Sequence, residues 1–422
     1  LIFYRFSPAP HFVLFPYLRG MKVRQLLALI GLMALTTCKT HPPATTVSKP
    51  RAPIPTPTPT PPPPLVKKAP PKPKVPALSK EDSLDLKIGQ MLMLGINERT
   101  SLPQTDALRQ DLKTYWLGGV LIFEKNIAKT RSGETLRQLI THLQQAAPLP
   151  LLVAIDEEGG QVHRLKEKYG FIRFPSANYL GAMATTDSTT YYTRRLAALL
   201  SELGFNLNFA PTVDVAVNPN NPVIVKAGRS YSKDTLRLVK HATAAIDAHD
   251  AYGIVTVLKH FPGHGSSATD SHLGITDVTR RWQRQELYPY QALIKAGKAR
   301  SILTSHVINC RLDTTCLPAS LSKAMNTGLL RNQLGFEGVI FTDDMQMHAI
   351  SKQYGLEKAI KLSVLSGVDV LVYGNTGSPA ERVTAARLHG ILKKAVASGE
   401  IPEARINESY RRIVALKRTI VK

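Results

Sequence analysis

The sequence predicts one α/β domain, a (β/α)8 TIM barrel, behind a signal segment and a disordered proline-rich linker. Three observations carry that prediction. Eight short apolar runs recur between residues 88 and 372, each of a length that suits a buried strand. Amphipathic stretches lie between them; two of these, Tyr191 to Leu203 and Leu356 to Leu365, run up to Gly204 and Gly367, the residue type that closes helices. Polar and charged residues then collect just after the apolar runs, where parallel α/β folds place their chemistry. A doubly wound open sheet is the alternative, but no G-x-G-x-x-G follows the first run.

The chain begins with residues 1–20, which lack methionine and read as sequence upstream of a start at Met21, or as part of a longer leader. In residues 21–38, Lys22 and Arg24 precede ten mostly apolar residues and Cys38, the pattern of a secretory signal and too short to span a bilayer. Leu35-Thr36-Thr37-Cys38 resembles a bacterial lipobox, which makes Cys38 the expected lipidation site and the chain a membrane-tethered lipoprotein of the periplasm or outer membrane; plain secretion is the alternative. Residues 39–80 form the linker. Pro42 to Pro76 holds fifteen of the thirty prolines and no acidic residue, a composition that stays extended and cannot bury a core.

Charge follows the same division. Residues 1–80 supply +12 of the net +23, and the remaining 342 carry forty-two basic against thirty-one acidic side chains. The basic linker suits an anionic envelope surface. Nucleic acid is the obvious other partner for a basic protein, yet no zinc-finger spacing, RNA-binding sheet motif or basic helix supports it. Of three cysteines, Cys310 and Cys316 share one loop and can pair in an oxidising compartment; two free thiols are the alternative.

The domain itself is expected over residues 81–422, with strands near Ile88–Leu94, Gly119–Phe123, Leu151–Ile155, Asn206–Ala210, Ile254–Leu258, Ser301–Thr304, Gly338–Phe341 and Val368–Val372. The third runs into Asp156-Glu157-Glu158-Gly159-Gly160, with Arg164 further on. The fourth runs into Pro211-Thr212-Val213-Asp214 and then Gly228-Arg229; Ser305-His306 follows the sixth, and Thr342-Asp343-Asp344 ends the seventh. The fifth leads into Lys259-His260-Phe261-Pro262-Gly263-His264-Gly265, and Asp270-Ser271-His272 comes five residues later. Three histidines and a lysine among glycines at a strand end are poorly explained by core packing.

K-H-F-P-G-H-G followed by D-S-H resembles the signature of the β-N-acetylglucosaminidases of glycoside hydrolase family 3, the NagZ type. The resemblance runs through residues 84–420 in the same motif order. It implies an Asp270–His272 acid/base dyad, with Asp156, Arg164, Arg229, Lys259 and His260 binding the sugar ring. Asp343 is the candidate nucleophile, because it directly follows Val339-Ile340-Phe341-Thr342 and matches the family's aspartate; Asp344 is its neighbour and competitor. A carboxylate beside a histidine fixes the ring tautomer and stabilises its charged form, and histidine titrates near neutral pH.

The expected function is retaining exo-cleavage of N-acetylglucosamine from β-1,4-linked peptidoglycan fragments, through a glycosyl-aspartate. The export signal points to trimming in the envelope rather than recycling in the cytoplasm. No metal or other cofactor is called for, and a monomer is expected. The alternatives are a β-glucosidase or phosphorylase of the same family, and a non-catalytic envelope-binding lipoprotein.

Overall fold

A computed structural model describes residues 82–269 and 274–420. The signal segment, the linker, Cys38 and the Asp270–His272 pair lie outside the described residues. Eleven strands are formed among the described residues: β1 (Leu92–Gly95), β2 (Gly119–Ile122), β3 (Leu152–Ile155), β4 (Leu207–Asn208), β5 (Val255–Thr256), β6 (Leu258–Phe261), β7 (Thr276–Asp277), β8 (Ser301–Thr304), β9 (Val307–Ile308), β10 (Val339–Thr342) and β11 (Leu371–Tyr373). The helices used below are α1 (Leu84–Gln90), α2 (Asp187–Leu203), α3 (Leu356–Ser366) and α4 (Glu403–Ile420).

All named strand pairs are parallel. One sheet has the order β11-β1-β2-β3-β4-β5, a second β10-β8-β6, and a short ribbon joins β7 to β9. Met93 registers with both Gly119 and Val372, Val120 with Val153, and Ile302 with both Leu258 and Ile340. The two larger sheets meet where Phe341 bridges Val370: Thr342 N donates to Val370 O and Val370 N to Ile340 O, both at 3.0 Å. Near β5 and β6, Thr212 bridges Lys259.

The strand residues of the two larger sheets are buried because both faces are covered, so they read as continuous apolar runs rather than alternating ones. Helices α2 and α3 end as the sequence predicts: Gly204 and Gly367 adopt φ of 97° and 108°, a conformation that glycine enters without a Cβ penalty. Phe209, directly after β4, and Phe341 of β10 meet edge to face with centroids 5.6 Å apart.

The boundaries needed three corrections. Ile88 to Gln90 belong to α1, whose amino end is capped by the Ser83 hydroxyl accepting from Leu86 N; the first strand begins only at Leu92. The helix is buried along this stretch, so its apolar run looks like a strand. Lys259 and His260 are not beyond the fifth apolar run but inside β6, which starts again after a break at Val257. The last strand is shifted to Leu371–Tyr373, because Asp369 sits at its approach, fully buried and paired with arginines.

Candidate active site

The site is built where the parallel strands end. Lys259, in β6, reaches two carboxylates delivered by the end of β3: its Nζ lies 2.9 Å from Asp156 Oδ1 and 2.7 Å from Glu158 Oε1. Arg229 grips the same glutamate with both arms of its fork, Nη2 to Oε1 at 2.7 Å and Nε to Oε2 at 2.9 Å, while Thr212 Oγ1 donates to Oε2 at 3.0 Å. Such bidentate, charge-assisted pairing fixes position as well as charge. Arg164 stands on the outer side of Asp156, its Nη2 3.5 Å from Oδ2.

Electrostatics follow from these contacts. Burial by itself would raise both carboxyls. Lys259 and then Arg164 outweigh it at Asp156, and Arg229 and then Lys259 outweigh it at Glu158, so both are held below the ordinary carboxylate range. Both therefore stay ionised at neutral pH and can only accept hydrogen bonds. Glu157 is different: burial pushes it up to about 7, and its Oε2 accepts from Arg164 N at 2.7 Å and Leu165 N at 3.0 Å, so it shapes the loop rather than facing the mouth.

His260 is oriented from both sides. Its Nδ1 lies 2.6 Å from Asp214 Oδ2, and its Nε2 lies 3.1 Å from Arg229 Nη2. Arginine can only donate, so Nε2 accepts and Nδ1 carries the proton toward the aspartate. Asp214 is fully buried; its other oxygen accepts from His264 N at 2.8 Å, and His260, ahead of His264, keeps its carboxyl low against the effect of burial. His264 is buried too, with Nδ1 2.8 Å from Ser267 Oγ, and burial lowers its pKa to about 4. It belongs to the loop's framework. Gly265 has to be glycine, because a Cβ there would run into the carbonyl of Val215.

Asp343 directly follows β10. Its N–H donates to Thr304 O at 2.9 Å, and its Oδ1 accepts from Asp344 N at 2.8 Å. Asp344 is occupied otherwise: its Oδ1 accepts from Gln346 N and Gly374 N, both at 3.0 Å, which ties the turn after β10 to the end of β11. His306 is buried, with Nδ1 2.7 Å from Ser320 Oγ and Nε2 2.9 Å from Asp344 O. The segment Pro318 to Ser322 thus holds up the Asp343–Asp344 turn from beneath.

Asp270 and His272 lie outside the described residues. The residues that bracket them are joined, since Thr269 Oγ1 donates to Thr276 Oγ1 at 3.2 Å and β7 pairs with β9. Cys310 and Cys316, further along from β9, are linked as a disulfide with Cα atoms 4.6 Å apart. Among the described residues no group of His, Cys, Asp and Glu is arranged to hold a metal ion.

Of the sequence-predicted residues, Asp156, Arg164, Arg229, Lys259 and His260 form one connected network. Asp343 sits at the end of another strand of the same parallel set. Two members went unselected from sequence: Glu158, the common partner of Lys259 and Arg229, and Asp214, which orients His260. Both were visible as acids just past apolar runs, but nothing local says which acid faces a cation.

Fixed carboxylates and cations gather at the strand ends of this parallel α/β protein, with a further aspartate directly after β10. The N-terminal domain of glycosyl hydrolase family 3 matches residues 83–416, and the chain belongs to that family. It is similar to β-hexosaminidase A of Pseudoalteromonas piscicida, 33% identical over 340 residues that cover 75% of this chain and 56% of that protein. It is also similar to a β-hexosaminidase of Tolumonas auensis, 33% identical over 315 residues, 74% of this chain and 90% of that one. Among solved structures it resembles a family 3 β-N-acetylglucosaminidase from Paenibacillus, with a TM-score of 0.73 and 34% identity over 80% of this chain and 62% of that chain. The chain therefore spans little more than half the length of the Pseudoalteromonas relative and under two thirds of the Paenibacillus one.

Proposed function

We propose that this chain is a retaining exo-β-N-acetylglucosaminidase acting on peptidoglycan-derived fragments. The observation that carries the reading is the network of Asp156, Glu158, Lys259, Arg229 and His260 at the strand ends that also present Asp343. The β-hexosaminidase relatives support the same sugar class. The frame is read as a closed eight-stranded (β/α)8 barrel, supported by the Phe341–Val370 bridge and by the way β5 passes into β6 at Val257.

In the first step the Asp343 carboxylate attacks the anomeric carbon. The bond to the leaving oxygen breaks, and His272, charged and held by Asp270, gives that oxygen its proton. In the second step His272 takes a proton from water, whose oxygen attacks the same carbon and releases the Asp343 carboxylate. Two inversions give net retention. Lys259 and the ionised Asp156 bind ring hydroxyls as donor and acceptor.

The test compares 4-nitrophenyl β-N-acetylglucosaminide with the matching β-glucoside and a natural disaccharide, for the wild type and His272→Ala. Activated leaving groups need little acid help. The variant is expected to lose about 10²–10⁴-fold on the disaccharide and far less on first-step cleavage of the aryl glycoside. Equal cleavage of glucoside, or a variant as active as wild type, would sink the assignment. Omitting phosphate without loss of rate separates hydrolysis from phosphorolysis.

The reading places the enzyme in the envelope, tethered by a lipid on Cys38 and acting as a monomer. Among the described residues no helix is long and apolar enough to cross a membrane. Cys38→Ala is expected to move the protein from the membrane fraction to the soluble one; a membrane-bound variant would refute the anchor.

A further inference from the structure

Phe123 to Asn126, just after β2, touch the loops that follow β1, β3 and β11. The Glu124 carboxylate lies 2.5 Å from Lys166 Nζ, 2.6 Å from Lys168 Nζ and 3.3 Å from Tyr169 OH, all on the loop after β3. The Phe123 ring lies beneath Arg164 of that loop, with the guanidinium carbon 5.8 Å from the ring centroid. At its tip the ring abuts Gly374, where an added Cβ would come 3.2 Å from Phe123 Cζ. Lys125 Nζ donates to Asn375 O at 2.9 Å, and Asn126 Nδ2 to Asn97 O at 2.6 Å and Arg99 O at 3.0 Å.

The geometry of Arg164 gives this arrangement its purpose. Its Nε is buried without a hydrogen-bond partner among the described residues, and its Nη2 stands 3.5 Å from Asp156, beyond good hydrogen-bond distance. A buried donor left unmade is costly, so a positioned but under-used guanidinium is one that awaits an acceptor. An aromatic face can seat a guanidinium without consuming its N–H groups.

We propose that Phe123 and Glu124 are positioning residues for sugar binding: Phe123 seats the Arg164 guanidinium, and Glu124 tethers the loop that carries it. The proposal rests on the reading that Arg164 binds the sugar. A single exposed lysine–carboxylate pair holds little. Here three donors within four residues share one carboxylate, so the cost of ordering the loop is divided among them. Burial pushes the Glu124 carboxyl up and the two lysines pull it down to about 2, so the tether persists throughout the neutral range.

The test is a double-mutant cycle on the full chain with 4-nitrophenyl β-N-acetylglucosaminide, read as KM, kcat and inhibition by free N-acetylglucosamine. Arg164→Ala is expected to raise KM about tenfold or more, the scale of a lost charged hydrogen bond. Glu124→Ala should raise KM and the inhibition constant by roughly fivefold with kcat within about twofold. The double variant should be no worse than Arg164→Ala alone, and Phe123→Leu should sit closer to wild type than Phe123→Ala. Independent, multiplying effects of Glu124 and Arg164, or a change in thermal stability alone, would overturn the positioning role while leaving Arg164 in the site. A silent Arg164→Ala would overturn both the role and the sugar-binding reading beneath it.

Discussion

Asp343→Asn is expected to lower kcat on an aryl β-N-acetylglucosaminide by about 10⁴-fold or more while leaving the fold intact. The side chain keeps its shape, and the backbone bond from Asp343 N to Thr304 O is untouched. What disappears is the charge that, in the proposed mechanism, attacks the anomeric carbon and stabilises the oxocarbenium-like transition state. Azide should restore part of the rate and give the α-glycosyl azide, because a small anion then replaces the missing carboxylate on its own face of the sugar. Asp344→Asn is the paired control. Its Oδ1 accepts from Gln346 N and Gly374 N; an asparagine oxygen can keep both bonds but without the charge that strengthens them, so the expected loss is modest and in stability, with a smaller change in kcat. If Asp344→Asn is the dead enzyme and Asp343→Asn turns over normally, the two roles are exchanged and the nucleophile has been misassigned.

Glu158→Ala should destabilise the protein by about 3–5 kcal/mol at pH 7, measured by urea unfolding. The side chain is 6% exposed and pairs with Arg229 and Lys259, themselves 9% and 3% exposed. Its removal leaves Arg229 buried with its bidentate partner gone, whereas Lys259 keeps Asp156. Glu158→Gln retains the volume and should fall between the two if the alanine variant folds too poorly to measure. The pH dependence has a definite sign. The folded carboxyl is held below its ordinary value near 4.5, so its contribution is complete above that value and fades as the pH falls through the lowered one. The gap between wild type and variant should be level from pH 6 to 8 and narrow in acid. A gap that widens in acid, or none at pH 7, would contradict the pairing.

Most of the frame was legible because parallel strands covered on both faces are written as apolar runs, and glycines mark where helices stop. What misled was a local ambiguity: Ile88 to Gln90 are as buried as a strand, and periodicity over so few residues does not separate the two. The site was legible as a set of residue types but not as a set of pairings. Glu158 meets Arg229 across 71 positions and Asp214 meets His260 across 46, distances over which no spacing rule operates. Asp156, Arg164, Arg229, Lys259 and His260 were read as aimed at a ligand. Several are aimed first at each other, which is how a cluster of opposite charges keeps a fixed shape before any ligand arrives.

Asp369 bears on where the domain can be cut. Fully buried, it accepts from Ile340 N at 3.0 Å in β10, the strand that leads to Asp343, and it is paired with Arg331, Arg405 and Arg412. Two of those three arginines lie in α4, beyond the last strand. Helix α4 is therefore part of the charge balance at β10 and not an appendage to it. A boundary drawn just after β11 would keep every residue of the candidate site and still strip Asp369, which holds β10 at Ile340, of two of its three arginines.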